Sequence, residues 1–512
     1  MTTPSPATHD AERALPPVPR IEPDDAKHLR TTLAGCGFTE RELPRLYGLD
    51  TMADMRRLSP ATRHHAEANA PDNNSIGHAL VTLFLHGKHV DAGSLADLGG
   101  LDPWERAGLI EHTTSGVLAT VNLVPFRGAY IASDRPRTPD GVRRVHADHV
   151  MGVGGSSLTL ASLTIRRPVE RALDLGCGCG VHALLAARHA QHVLATDLSE
   201  RAVEFTRCNA VLNGHDNIEA VAGDLYDPAG ERRFGLVVSN PPFVISPETS
   251  FVYRDSPLPG DELVERVVRG AAERLEPGGY AAILANWIHP AGSSWQNRLR
   301  SWIEPAGCDG LVMQSMASSG VEYAEKWIEH TGSNTSADDA LDRWLSYFDE
   351  QRIEAVGSGL IVAHRPIEQR ENVFVPAHAP DDWTADERAG EHLAGLIDAA
   401  VWLEATDDAQ LLATPLAVSS DARITHELAP HAEQTGWQVE SATLRLDTGL
   451  AGRARLDGFT SQLMMGLDGS TPAGAVIDAV AASLGVTPED ARSAAPRVLR
   501  NMVGAGYLTQ SS

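Results

Sequence analysis

The chain has 512 residues, 42% hydrophobic and 22% charged, an ordinary balance for a soluble globular protein. At about 100–200 residues per domain, this length predicts three or four domains. Its 68 acids and 43 bases leave a net charge of −25. Such a surface repels phosphate backbones except where bases cluster, so it disfavours general nucleic-acid coating and leaves a focused basic cleft open. No run approaches the length of a transmembrane helix. Met1-Thr2-Thr3-Pro4-Ser5-Pro6 lacks the basic and apolar regions of a secretory signal. The cysteines (Cys36, Cys177, Cys179, Cys208, Cys308) are odd in number and sparse, which fits a reducing cytoplasm. Cys177 and Cys179 are separated by one residue and have no partner pair, so no metal site is expected.

Residues 1–22, rich in Pro, Ala and Thr, read as a disordered lead. Residues 23–135 read as helices followed by a short hairpin, a winged-helix-like domain. The helices begin after Asp24-Asp25 with Leu29 and Leu33, and the hairpin carries the alternation Val117, Ala119, Val121, Leu123. Residues 136–370 alternate strands and helices. The strands are Ala172–Leu175, Val193–Thr196, Ile218–Val221, Leu236–Ser239 and Tyr280–Leu284. That alternation predicts a parallel sheet covered on both faces, an α/β doubly wound core. A helical insertion at 321–352, with Trp327, Trp344, Tyr347 and Phe348, precedes a last strand at Gly359–Ala363. Residues 381–512 read as an acidic α+β unit of charge −11 ending in a second winged-helix-like module. There Thr487-Pro488-Glu489-Asp490 caps a helix that carries Arg492, Arg497 and Arg500. The last 57 residues still sum to −2, which favours packing or protein contact over DNA reading.

The centre of the sequence is Asp174-Leu175-Gly176-Cys177-Gly178-Cys179-Gly180, a strand running into a glycine turn and a helix. A dinucleotide would require G-x-G-x-x-G with a pyrophosphate at the helix start. Here the spacing is G-x-G-x-G and an acid precedes it, which would repel a pyrophosphate. The acid suits S-adenosylmethionine, which carries an ammonium and a sulfonium and no phosphate. Asp197, with Leu198 after it, ends the second strand, where a carboxylate can take both ribose hydroxyls. Asp224-Leu225 follows the third strand, where a carboxylate can accept from the adenine amine and the next amide can meet a ring nitrogen. In an open α/β sheet these strand ends are where ligands bind.

The fourth strand ends in Asn240-Pro241-Pro242-Phe243. The two prolines remove donors and stiffen the loop. The Asn240 side-chain oxygen and the Pro241 carbonyl are two acceptors for one N–H₂ group, and Phe243 offers a flat apolar face to a planar amide or base. Tyr253 and Arg254 follow as candidate substrate-entrance residues. His149, His182 and His289 lie nearby in sequence and read as packing residues.

Together, Asp174–Gly180, Asp197, Asp224, Asn240–Phe243 and the loop Gly152–Ser157 resemble class I S-adenosylmethionine-dependent methyltransferases. The resemblance is to the small-domain branch with an N-P-P-[FY] motif. That branch includes release-factor glutamine, ribosomal RNA guanine-N2 and adenine-N6 methyltransferases. It implies a Rossmann-like core and S-adenosylmethionine bound by Asp174, Gly176, Cys177, Gly178, Gly180, Asp197, Leu198, Asp224, Leu225 and Asn240. It also implies Asn240, Pro241, Pro242 and Phe243 as the catalytic residues for methylation of an acceptor nitrogen, and a 152–157 loop that helps close over the cofactor. The acidic flanks favour a protein, peptide or small-molecule acceptor over RNA and no membrane partner. An rRNA or tRNA base N-methyltransferase, a biosynthetic tailoring methyltransferase and a cofactor-sensing nucleic-acid-binding regulator are the other readings.

Overall fold

The computed structural model describes residues 15–57, 75–135, 146, 148–248, 258–331, 336–379, 383–430 and 435–510. The N-terminal region opens with the helix Pro23–Gly35, which has Pro at its first position and Asp24 and Asp25 in its first turn. Ala26, Leu29 and Leu33 line its buried face. Two hairpins follow. One joins β1 (Ile110–Thr113) to β2 (Gly116–Ala119), the other β3 (Asn122–Phe126) to β4 (Ala129–Ser133).

This region shares one hydrophobic core with the helices that follow the glycine loop: Phe38, Phe84 and Ile131 cluster with Val181, Leu184, Phe205 and Leu212. Asn209 and Asn213, one turn apart on the helix Glu200–Asn213, complete the edge of β4. The Asn209 oxygen accepts from the Ala132 amide, and its amide nitrogen donates to the carbonyls of Ala132 and Cys179, each at 2.8 Å. Asn213 exchanges the same pair of bonds with Tyr130, at 2.8 and 2.7 Å.

The core sheet has eight strands: β5 (Val169–Leu175), β6 (Ala190–Asp197), β7 (Ile218–Ala222), β8 (Phe234–Ser239), β9 (Leu275–Pro290), β10 (Asp309–Ser319), β11 (Ile353–His364) and β12 (Phe374–His378). Their spatial order is β12-β10-β11-β9-β8-β5-β6-β7. From β5 the chain winds outward to β6 and β7, then returns to β8 and β9. The switch point between β5 and β8 is the crevice where such sheets hold ligands. The strands around it are continuous apolar runs, as burial on both faces requires.

The sheet is not wholly parallel, as the alternation of strands and helices predicts. β11 runs antiparallel to both β9 and β10. The cause is the connection: Ser319, the last residue of β10, pairs with Ala355, so the helices Gly320–Thr331 and Ala337–Glu350 sit at the tip of a long hairpin. β10 and β12 are additions to the strands expected from sequence, and β12 carries the sheet past residue 370.

In the C-terminal region β13 (Thr384–Ala385) pairs with β17 (Leu450–Ala451). β14 (Pro415–Val418), β19 (Asp468–Pro472) and β20 (Leu508–Gln510) form one small sheet. β15 (Ala422–Pro430), β16 (Trp437–Leu446) and β18 (Arg453–Leu456) form another. The helix Pro488–Gly504 starts as its sequence predicts, with the Thr487 hydroxyl accepting from the Asp490 amide. Its Arg492 donates twice to Asp478, and its Arg500 donates to Asp408 and to two carbonyls. Among the described residues no helix is long and apolar enough to cross a membrane.

Candidate active site

The glycine loop, the ends of β6 and β7, and the Asn240 loop converge on the crevice at the carboxyl ends of the strands. The Gly176 and Cys177 amides donate to the Thr196 carbonyl at 2.8 and 2.9 Å, locking the loop to β6. Gly180 (φ 77°) packs so close to Thr206 that a Cβ would lie 2.9 Å from its side chain. Gly178 has φ 53°, and a Cβ there would meet nothing within 4 Å, so the loop faces open space.

Asp174 is buried, at 1% exposure. One carboxylate oxygen accepts from the Ala183 amide at 2.8 Å, fixing the start of the helix Val181–Ala186. The other is buried without a partner among the described residues. Burial pushes this carboxyl up to about 7, against the Ala183 hydrogen bond. Asp174 thus anchors the loop with one oxygen and leaves the other for a cation.

Asp197 accepts from the Gly178 amide with one oxygen and the Ser199 amide with the other, both at 2.9 Å. Burial raises its pKa and these amides oppose the rise. Leu198 beside it is 67% exposed, an apolar ledge next to a carboxylate. The Gly223 amide donates to the Asp197 carbonyl at 2.9 Å, which brings the Asp224–Leu225 turn alongside. Asp224 is exposed, and Leu225 holds a left-handed φ of 42°.

At the end of β8 the Asn240 amide nitrogen donates to the Ser156 hydroxyl at 3.1 Å. Ser156 stands in the first turn of the helix Gly155–Leu163, within the glycine-rich stretch upstream of β5. With its nitrogen so engaged, the Asn240 oxygen has no hydrogen-bond partner among the described residues. Pro241 is buried and Phe243 half-buried. Phe243 and Ser156 line a cavity of about 330 Å³ whose far wall is Asn286, Tyr323, Lys326, Trp327 and Trp383. The Tyr323 hydroxyl accepts from the Ile245 amide at 3.1 Å and from the Asn286 side chain at 2.6 Å, pinning the loop after Phe243.

Sequence reasoning named the 152–157 loop but not Ser156 as the partner of Asn240. It read residues 321–352 as an insertion and not as the wall of a cavity. The aromatic cluster Trp327, Trp344, Tyr347 and Phe348 was the available signal. Tyr253 and Arg254 lie outside the described residues. His182 is buried and its pKa is lowered to about 3 by burial and by the nearby Arg166 and Arg127. His289 hydrogen-bonds Gln314 at 2.8 Å and stacks on Trp295. His149 is buried. Cys177 is buried against the Thr206 hydroxyl, with its thiol pKa raised by burial.

Two family models match the chain: "Methyltransferase small domain" over residues 153–301, and "Domain of unknown function (DUF7782)" over 394–510. Among curated proteins the chain is similar to the ribosomal RNA small subunit methyltransferase C of Cronobacter sakazakii. The two are 36% identical over 138 residues, 27% of this chain and 36% of that protein. The Escherichia coli protein of the same name is 33% identical over the same extent. The chain thus matches only about a third of the length of these relatives. Among solved structures, a methyltransferase from Pyrococcus furiosus aligns at 19% identity and TM-score 0.25, over 40% of this chain and 78% of that one. The matched segment contains the glycine loop, both strand-end acids after it and Asn240–Phe243. Residues 153–301 are a methyltransferase small domain, of the class I S-adenosylmethionine-dependent methyltransferases.

Proposed function

We propose that the chain is an S-adenosylmethionine-dependent N-methyltransferase whose acceptor is an amino nitrogen on a planar base of RNA. The observation that carries this reading is the Asn240 amide, held by Ser156, which together with Phe243 and Trp327 lines a cavity. Similarity over the same segment to ribosomal RNA methyltransferases supports RNA over the protein, peptide or small-molecule acceptor expected from charge.

The residues present fit the cofactor that the family implies. The unpartnered oxygen of buried Asp174 suits an ammonium, and Asp197 retains lone pairs for ribose hydroxyls. Leu198 and the Asp224–Leu225 turn would flank the adenine. When bound, S-adenosylmethionine supplies a methyl group already activated on a sulfonium.

The protein's part is then mainly alignment. An aryl amine is a weak nucleophile because its lone pair is delocalised into the ring. The Asn240 oxygen and the Pro241 carbonyl accept its two N–H hydrogens and turn the lone pair toward the methyl. Both acceptors stabilise the positive charge that develops on nitrogen. Phe243 stacks on the planar acceptor and excludes water.

The test is transfer of labelled methyl into fractionated lysate, scored as RNA, protein or small molecule. Label in RNA is expected, and label confined to protein or small molecules overturns the acceptor. Asn240→Ala should lower turnover at saturating cofactor by roughly 10²-fold, the scale of losing one positioned polar group at a reacting centre. Unchanged turnover at saturating cofactor sinks the role given to Asn240.

A further inference from the structure

The C-terminal region is strongly acidic, yet four of its eight bases stand on one face of one small sheet. Where residues 422–424, 442–446 and 453–456 of β15, β16 and β18 pair, inward and outward residues alternate. Ala422, Ile424, Ala442, Leu444, Leu446, Ala454 and Leu456 pack inward on the helices of this region. Arg423, Arg445, Arg453 and Arg455 are exposed on the other side. The register sets Arg423 opposite Arg445 and Arg445 opposite Arg453, a row of three guanidiniums across neighbouring strands. Arg455 lies opposite Thr443, which is opposite Thr425.

Like charges directly opposite one another across strands are destabilising. Asp447 offsets part of this, pairing with Arg423 at 3.0 Å and with Arg445 at 3.2 Å. Glu427, further along the same face, accepts from Ser441. Arg453 and Arg455 make no ion pair among the described residues. Elsewhere in the region, Arg388, Arg492 and Arg500 each have a carboxylate of their own. The fold therefore pairs three of its other four arginines, Arg497 being the exception among the described residues, and leaves most of its unpaired positive charge on this face.

The face also begins close to the cavity. Trp383 lines the cavity and Thr384 follows it. Thr384 pairs with Ala451, two residues before Arg453. One peptide step, one rung and two strand residues span at most about 16 Å between the Cα atoms of Trp383 and Arg453.

We propose that the outer face of β15-β16-β18 docks the sugar–phosphate backbone of single-stranded RNA whose flanking base enters the Phe243 cavity. Arginine forks suit phosphate oxygens, and the threonines add donors to the backbone. A local basic face also resolves how a chain of charge −25 could hold a polyanion. The proposal rests on the RNA reading of the active site, and the experiment separates the two.

The full chain and the double variant Arg453→Glu/Arg455→Glu are titrated with a fluorescein-labelled 30-nucleotide single-stranded RNA at several salt concentrations. Labelled methyl transfer to the same RNA and S-adenosylmethionine affinity are measured alongside. The variant should bind RNA at least tenfold more weakly, with a log–log salt slope shallower by about 1.4 for two lost phosphate contacts. Its cofactor affinity should stay unchanged, and Arg453→Lys/Arg455→Lys should keep most of the binding. Equal binding and equal salt slope in parent and double-Glu variant overturn the docking face, even if the RNA is methylated. Arginine-dependent, salt-sensitive binding without any methylation of RNA supports the face and overturns the acceptor reading. No binding of the RNA by the parent protein overturns the face as well.

Discussion

Asp174 is where the fold and the proposed cofactor site meet. Its burial raises the carboxyl to about 7, so the free protein resists ionising it. The stability linked to this group is full below its ordinary value near about 4 and is lost as pH rises through about 7. A bound ammonium reverses the preference by favouring the carboxylate. Cofactor affinity should therefore weaken about tenfold from pH 8 to pH 6, read by calorimetry. Asp174→Asn should flatten that profile and bind weakly at both ends, while a profile unchanged in the variant would assign the pH dependence elsewhere. This residue was legible in the sequence because an acid before G-x-G-x-G states its chemistry locally. Ser156 was not legible in the same way, because its bond to Asn240 joins residues 84 apart.

At the scale of elements, the helical pair at the tip of the β10–β11 hairpin holds the loop after Phe243 from behind. Tyr323 receives the Ile245 amide, and Tyr347 receives the Gly260 amide at 2.7 Å, so the pair grips the chain on both sides of residues 249–257. Tyr323→Phe leaves the buried Ile245 amide without an acceptor, a cost of about 1–3 kcal/mol. The expected result is a several-fold to tenfold fall in kcat with little change in cofactor affinity, since Tyr323 acts through the loop and touches no cofactor. Wild-type kcat with a raised KM for the acceptor would instead mark Tyr323 as a cavity wall only. Tyr347→Phe should give a smaller fall. The sequence showed these helices and their aromatic face, but the direction of β11 is invisible to periodicity, since a buried strand reads the same either way. β12 escaped for a different reason: Pro376 interrupts a short run, and Pro is tolerated in an edge strand such as this one.

For the molecule as a whole, the N-terminal region and the methyltransferase domain fold around a common core. Asp134, just after β4, is buried and takes two bonds from Arg201, on the helix after β6, at 2.9 and 2.5 Å. It also accepts from the Val150 amide. Arg201→Ala strands a buried carboxylate and should cost about 3–5 kcal/mol, seen as a lowered Tm in thermal denaturation. A shift under one degree would show that the pair contributes nothing net. Division of the chain by composition placed a boundary near residue 135, and neither charge nor periodicity reveals that apolar faces on its two sides meet. The same continuity reaches the glycine loop through Asn209, which bonds the edge of the N-terminal hairpin with one hand and the Cys179 carbonyl with the other. Lesions in that hairpin, remote from any ligand atom, should therefore surface as poor retention of the cofactor. A fragment trimmed to the recognisable methyltransferase segment would lose the hairpin and, with it, the brace that keeps its glycine loop in shape.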